Sequence, residues 1–208
     1  MILVIDYGMG NLRSIEKALR AAGADFKVSH NKSDITSAES LLLPGVGSFG
    51  EGMQSLKKLG LIEPIKAAVL ESKTPILGVC LGMQLLFKTS EEGGAAGLGL
   101  IDGKVNKFSF SGGANLKVPH MGWNDVFGQD MKTIPLFKDI AEHTNFYFVH
   151  SYHAVLEETI PHALTTYGYD FVSAVQKNNI FGTQFHPEKS QKKGIEMLKN
   201  FVSISKKC

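Results

Sequence analysis

The sequence predicts an α/β fold in which a mostly parallel central sheet is flanked by helices and carries an antiparallel extension. Three observations predict it. In the first eighty residues, short apolar runs alternate with segments whose apolar residues recur at helical spacing, the rhythm of strands joined by crossover helices. Beyond residue 100 that spacing gives way to short strand-like runs separated by turn residues. The length, 208 residues, suits one continuous core, and residues 1–208 are read as a single domain.

The elements follow in order. Ile2-Leu3-Val4-Ile5 reads as a buried strand, stopped by the glycine turn Asp6-Tyr7-Gly8-Met9-Gly10. Leu12, Ile15, Leu19 and Ala22 then share one face of a helix that Gly23 is placed to end. Residues 25–30 suggest a second strand. Leu41-Leu42-Leu43 suggests a third, halted by Pro44-Gly45-Val46-Gly47. Ile62, Ile65, Ala68 and Val69 mark a helix leading into a fourth strand, Pro75 to Val79. In the second half, strand-like runs lie near 104–110, 116–126, 146–149, 163–168, 171–176 and 180–185, with Asn178-Asn179 suited to a hairpin turn. An amphipathic helix from about Gln191 to Ile204 closes the pattern.

Composition narrows the function classes. Twenty-two basic residues face 20 acidic ones, a net charge of +2, so neither nucleic acid nor a membrane surface is the expected partner. No apolar run approaches the ~20 residues a spanning helix needs. Met1 runs straight into a core strand rather than a leader, and a cytoplasmic location is expected. The two cysteines, Cys80 and Cys208, are too few for a structural zinc site and poorly placed for a disulfide. No metal and no cofactor are expected.

Chemistry concentrates at two places. Gly78-Val79-Cys80-Leu81-Gly82 is a Gly-x-nucleophile-x-Gly elbow, placed where the fourth strand turns into a helix through Met83, Leu85, Leu86 and Phe87. A nucleophile in so sharp a turn leaves no room for side chains two residues away, and a helix N-terminus favours the thiolate. The N–H of Leu81 is positioned to help hold an oxyanion. On these five residues alone, a buried structural cysteine stays open. The second place is His186-Pro187-Glu188, after the last strand. In an extended segment, residues i and i+2 point the same way, so His186 faces the sulfur and Glu188 the far side of the imidazole, a nucleophile–base–orienter set. The other histidines lack such a carboxylate; His30, His143 and His162 read as surface positions, and His120, His150 and His153 as neighbours of aromatic or polar groups.

With both motifs placed, nearly the whole chain resembles the triad-type class I glutamine amidotransferases, whose members share such an elbow, a downstream His-Pro-Glu and a glycine-rich oxyanion strand like Pro44–Gly47. Within them, Asp6–Asn11, Lys117–Asn124 (with Pro-His-Met-Gly-Trp) and Phe148–Tyr152 look like the glutaminase subunits of imidazole glycerol phosphate synthases. The resemblance implies that Cys80, His186 and Glu188 release ammonia from L-glutamine, and that Gly45, Val46, Gly47 and Leu81 hold the oxyanion. It further implies that Gln84, Glu92, Ser151 and Tyr152 contact the amino-acid end of the substrate. The implied partner is a cyclase subunit with a (β/α)8 barrel, in a heterodimer, which uses the ammonia in histidine biosynthesis. Because no residues remain for a synthase domain, the consumer is expected on another chain, with Asn11, Met121, Trp123 and Lys189 as candidates for the shared surface. The glycines at 45 and 47 are expected to let the peptide between Gly45 and Val46 rotate, closing or opening the oxyanion hole. The competing readings are a glutaminase serving another synthase (pyridoxal phosphate or anthranilate), a free-standing γ-glutamyl cysteine hydrolase, and a regulatory subunit with a dead site.

Overall fold

Strands covered on both faces need apolar residues at every position, and the first four strands of the central sheet meet that demand to different degrees. In the computed structural model, which describes residues 1–110 and 116–205, β1 (Ile2–Ile5) is buried throughout. It is followed by α1 (Leu12–Ala21), the half-covered β2 (Phe26–Ser29), α2 (Lys32–Ser37) and the fully buried β3 (Ser40–Leu43). Next come α3 (Phe49–Lys58), α4 (Ile62–Leu70), the fully buried β4 (Ile76–Val79), the short α5 (Leu81–Leu85) and β5 (Phe87–Ser90). The second half supplies β6 (Ile101–Lys107), β7 (His120–Val126), β8 (Thr144–His150), β9 (Tyr152–Leu156), β10 (His162–Tyr167), β11 (Tyr169–Lys177), β12 (Ile180–Thr183) and α6 (Gln191–Ser205).

The large sheet runs β2-β1-β3-β4-β12-β11-β9-β6-β5, with β10 paired to β11; β7 and β8 form a separate antiparallel ribbon. Two apolar layers cover the large sheet. One gathers α1 and α6 with Phe146, Phe148 and Phe185; the other gathers α3 and α4 with Leu81, Leu85 and Phe87. The decisive pairing for function is β12 beside β4. They run parallel in the register Ile180↔Ile76 to Thr183↔Val79, so their C-terminal ends finish side by side. Chain leaving one end carries Cys80, and chain leaving the other carries His186. Crevices outside the carboxyl ends of parallel strands are where α/β sheets hold their ligands.

The expected α/β layout with its antiparallel extension is present, with differences in individual elements. The helix after the elbow stops at Leu85, and Phe87 opens β5 instead of continuing it. The amides of Leu98 and Leu100 bond the carbonyls of Leu85 and Leu86 at 2.8 and 2.9 Å, capturing acceptors a longer helix would use. The strands expected over 104–110 and 180–185 stop at Lys107 and Thr183, and the one expected over 116–126 begins at His120. The helices α2 and α3 and the strand β9 are additional. Cys208 lies outside the described residues.

Candidate active site

Cys80 caps α5 with φ 54° and ψ −110°, a conformation that costs a non-glycine residue of order 1–3 kcal/mol. The turn is held by the Cys80 amide, which donates to the Thr183 carbonyl at 2.7 Å. The flanking glycines are required by packing. A Cβ on Gly82 would sit 1.8 Å from the Leu43 carbonyl oxygen, and one on Gly78 would sit 2.7 Å from that of Gly82. With α5 only five residues long, the field at the sulfur comes from its first amides rather than from an extended dipole.

His186 is 2 % exposed, and its Nδ1 lies 2.7 Å from Glu188 Oε1. The two meet across a 3-10 turn, Pro187–Lys189, not along the extended segment the sequence suggested. Pro187 starts that turn, and the Ser190 hydroxyl secures it by donating to the His186 carbonyl at 2.6 Å. Nε2 is buried with no hydrogen bond formed, and the group acting on it is Cys80. Burial pushes the His186 pKa down, but the neighbouring Cys80, joined by the hydrogen-bonded Glu188, outweighs it and raises the value to about 10. An imidazole so placed is favoured in its protonated form. Gln184, fully buried, adds an amide that donates to the Cys80 sulfur at 3.8 Å.

Beside the sulfur runs the Pro44–Gly47 strand. Tyr7, buried and close enough to the Cys80 charge to have its pKa raised by burial and by that charge, donates its hydroxyl to the Pro44 carbonyl at 2.7 Å. Gly47 has φ +104°, as expected for a residue needing glycine's freedom. Gly45 differs: its φ is not in the left-handed region, and it is glycine because a Cβ would meet Leu81 Cβ and the Tyr7 hydroxyl at 2.7 Å.

A cavity of about 360 Å³ opens over these groups, lined by Val46, Gly47, Cys80, Leu81, Gln84, Glu92, Ser151 and Tyr152 among others. The four residues expected at the amino-acid end of a substrate therefore do converge on the nucleophile. Two of them also bond protein groups: Gln84 donates to the Tyr152 carbonyl at 2.9 Å and to Gln184 Oε1 at 3.1 Å, while Glu92 Oε2 accepts the Phe49 amide at the start of α3, 2.7 Å away. A larger cavity of about 690 Å³ beside α3 and α4 contains none of the expected residues, and size alone gives it no chemistry.

The chain as a whole has relatives among known proteins. The family model for "Glutamine amidotransferase class-I" matches residues 3–204. This chain belongs to the class I glutamine amidotransferases. Among its relatives, the imidazole glycerol phosphate synthase subunit HisH 1 of Campylobacter jejuni is 48% identical over 98% of this chain and 100% of its own length. The HisH subunit of Moorella thermoacetica is 48% identical over 98% and 94%, and HisH 2 of Pseudomonas aeruginosa 46% identical over 98% and 100%. Solved structures share the fold: a Trypanosoma brucei CTPS glutaminase domain with bound acivicin has a TM-score of 0.72 at 15% identity, covering 99% of this chain and 93% of that one. PurLQS of Thermotoga maritima gives 0.71 at 19% identity, with coverage of 98% and 97%.

The remaining expected residues of this amidotransferase lie outside the lining of the cavity. Met121 and Trp123 project from β7 and are 63% and 47% exposed, with Trp123 edge-on to Tyr147 and Lys189 over the same ring. Asn11 is exposed but also caps α1, accepting from the Ser14 amide at 3.3 Å. Two of the histidines read as surface positions do meet carboxylates: His162 Nδ1 lies 3.7 Å from Asp130 Oδ2, and His143 pairs with Asp125. That pair is on the surface, and His143 is 69% exposed. Gln184 and Tyr7 were not singled out as site residues in the sequence. Gln184 precedes the His-Pro-Glu segment by two residues and Tyr7 sits in the first glycine turn, so proximity to those motifs was the available signal.

Proposed function

We propose that this chain is the glutaminase subunit of an imidazole glycerol phosphate synthase, acting in histidine biosynthesis. It is read as a single glutamine amidotransferase domain, 1–208. The observation carrying the chemistry is His186, buried against the Glu188 carboxylate and under the influence of Cys80, which lines the cavity. The relatives named as synthase subunits, 48% identical over nearly the full chain, support the choice of pathway.

The Cys80 thiolate attacks the side-chain amide carbon of L-glutamine, and the carbonyl electrons move to oxygen. The Leu81 amide and the backbone of Gly45, Val46 and Gly47 are the donors proposed to hold that oxyanion, the largest single contribution in most acyl transfers. His186, already protonated, gives its proton to the departing nitrogen as the C–N bond breaks, leaving a γ-glutamyl thioester. Acylation removes the thiolate charge that helped raise the His186 pKa, so the neutral imidazole becomes available to take a proton from water. Hydroxide adds to the thioester, the C–S bond breaks, and glutamate leaves with thiolate and imidazolium restored. Glu188 holds the ring in one tautomer throughout. Gln84, Glu92, Ser151 and Tyr152 are assigned to the amino-acid end of glutamine.

Ammonia released into water is protonated and lost to synthesis, so the consumer docks over the site. We assign that role to a cyclase subunit with a (β/α)8 barrel, seated on Asn11, Met121, Trp123 and Lys189 in a heterodimer in the cytoplasm. The formal net charge of +2 gives no reason to assign a nucleic-acid partner, and no described helix is long and apolar enough to cross a membrane. The test is recovery of the tagged chain from its own cells with identification of the bound chain. A cyclase that makes imidazole glycerol phosphate from glutamine in the recovered complex is expected; a different synthase, or none, would contradict the assignment.

A further inference from the structure

His150, a buried histidine that the mechanism leaves unused, joins the site to β7. Its Nδ1 lies 2.7 Å from the Tyr152 carbonyl oxygen. A carbonyl only accepts, so Nδ1 carries the hydrogen and Nε2 of the neutral ring is an acceptor. His120 Nδ1, 3.0 Å from that Nε2, must therefore donate. That leaves His120 Nε2 to accept from the Asn124 amide at 3.3 Å, and the same amide also donates to the Thr166 carbonyl at 2.9 Å. Burial keeps both rings neutral, lowering His150 to about 3 and His120 to about 4. His120 and His150 are directly opposite one another in the β7–β8 ribbon, and His120 stacks on Tyr167 at 4.2 Å.

On the other side of the Tyr152 carbonyl stands Gln84. Its Nε2 has two hydrogens and two acceptors, the Tyr152 carbonyl at 2.9 Å and Gln184 Oε1 at 3.1 Å. Gln184 is itself oriented, because its amide donates to the Cys80 sulfur at 3.8 Å. With both donors of Gln84 committed, Oε1 is the atom left for the cavity that Gln84 lines. An amide turned the other way would present a donor there and repel an ammonium.

We propose that His150 and Gln184 are positioning residues that lock the Gln84 amide in the one orientation offering the cavity an acceptor, so that the site selects the α-ammonium group of its substrate. The proposal rests on the glutaminase reading. His150 holds the Tyr152 carbonyl in place, His120 holds the His150 tautomer, and Gln184 reads the state of the nucleophile. Because His120 and Asn124 lie on the inner pleat of the strand whose outer pleat shows Met121 and Trp123, the network begins directly beneath the proposed partner surface.

The test compares His150→Leu, which loses the donor, with His150→Asn, whose amide nitrogen can stand where Nδ1 does. Both are assayed in the complex with the cyclase, with ammonium-driven synthesis as the measure of intact assembly. Two ligands are used: glutamine as substrate, and 4-carbamoylbutanoate, glutamine without its α-ammonium, as competitive inhibitor. His150→Leu should raise the glutamine KM about tenfold and leave the inhibition constant of 4-carbamoylbutanoate within about twofold, with His150→Asn near wild type. A rise for both ligands, a rise for neither, or an Asn variant as impaired as the Leu variant overturns the proposal. If His150→Leu does not assemble, Gln184→Met carries the same two-ligand comparison. A wild-type complex inert toward glutamine would overturn the glutaminase reading itself, and this proposal with it.

Discussion

Glu188 Oε1 lies 2.7 Å from His186 Nδ1, and one turn of 3-10 helix begun by Pro187 brings them together. A pleated strand would also place i and i+2 on one side, but some 6–7 Å apart along the chain. The turn closes that gap, and the Ser190 hydroxyl, donating to the His186 carbonyl and accepting the Tyr147 amide at 3.0 Å, fixes it. Replacing Glu188 by Gln keeps the size and removes the charge that favours imidazolium. Turnover of glutamine in the partner complex should fall by roughly 10²–10⁴. Steady-state assay with ammonium-driven synthesis as a control decides it, and near wild-type turnover would remove Glu188 from its role.

Gly82 is the tightest point of the elbow, its missing Cβ 1.8 Å from the Leu43 carbonyl oxygen. Both neighbours are backbone, so neither can swing aside. Gly82→Ala should cost about 3 kcal/mol or more in stability, read by urea denaturation. A cost below about 1 kcal/mol would mean that the strand–helix junction relaxes freely.

The buried histidines predict an acid weakness. His150 and His120 have folded pKa values lowered, by burial, to about 3 and about 4 from 6.5. Between those values and 6.5 the unfolded chain binds protons that the folded chain refuses, so stability falls as pH drops through this window. His120, His153 and His186 surround His150 and add repulsion for a proton there or nearby. Denaturant titrations from about pH 7 to 4 should show His150→Asn losing stability less steeply than wild type, by at most about 1.4 kcal/mol per pH unit. Parallel slopes would contradict the neutral, buried assignment.

Trp123, 47% exposed yet braced edge-on by Tyr147, has the makings of an interface anchor. Trp123→Ala should weaken binding of the cyclase by about thirtyfold or more, the loss of a ~2 kcal/mol hot spot. Calorimetric titration measures it, and unchanged affinity would move the interface elsewhere.

What the sequence revealed, and what it hid, follows from the range of each interaction. The strand β1, the helix α1 with its stop at Gly23 and the elbow strand β4 were legible because apolar periodicity and glycine placement are local. The set of Cys80, His186 and Glu188 was legible because motif spacing encodes it. Phe87 was misread because a continuous apolar run fits helix or strand equally; its state is set by hydrogen bonds from residues 97–101. Gly50 and Gly52 obscured α3, although Ser48 caps it, its side chain accepting the Glu51 amide at 3.4 Å and its hydroxyl donating to the Glu51 carboxylate at 2.8 Å. The packing that requires glycine at Gly45, against Leu81 and Tyr7, is long-range and no local pattern shows it. The contact from Gln184 to Cys80 spans 104 residues, and no local pattern announces it.

If Cys80 makes the ammonia that the partner consumes, one substitution separates the two steps. The complex carrying Cys80→Ala is assayed for synthesis with glutamine and, separately, with ammonium at elevated pH. The account predicts that the glutamine-driven rate falls to background while the ammonium-driven rate stays within about twofold of wild type. Retained glutamine-driven synthesis, or loss of both rates in a complex that still assembles, would contradict it.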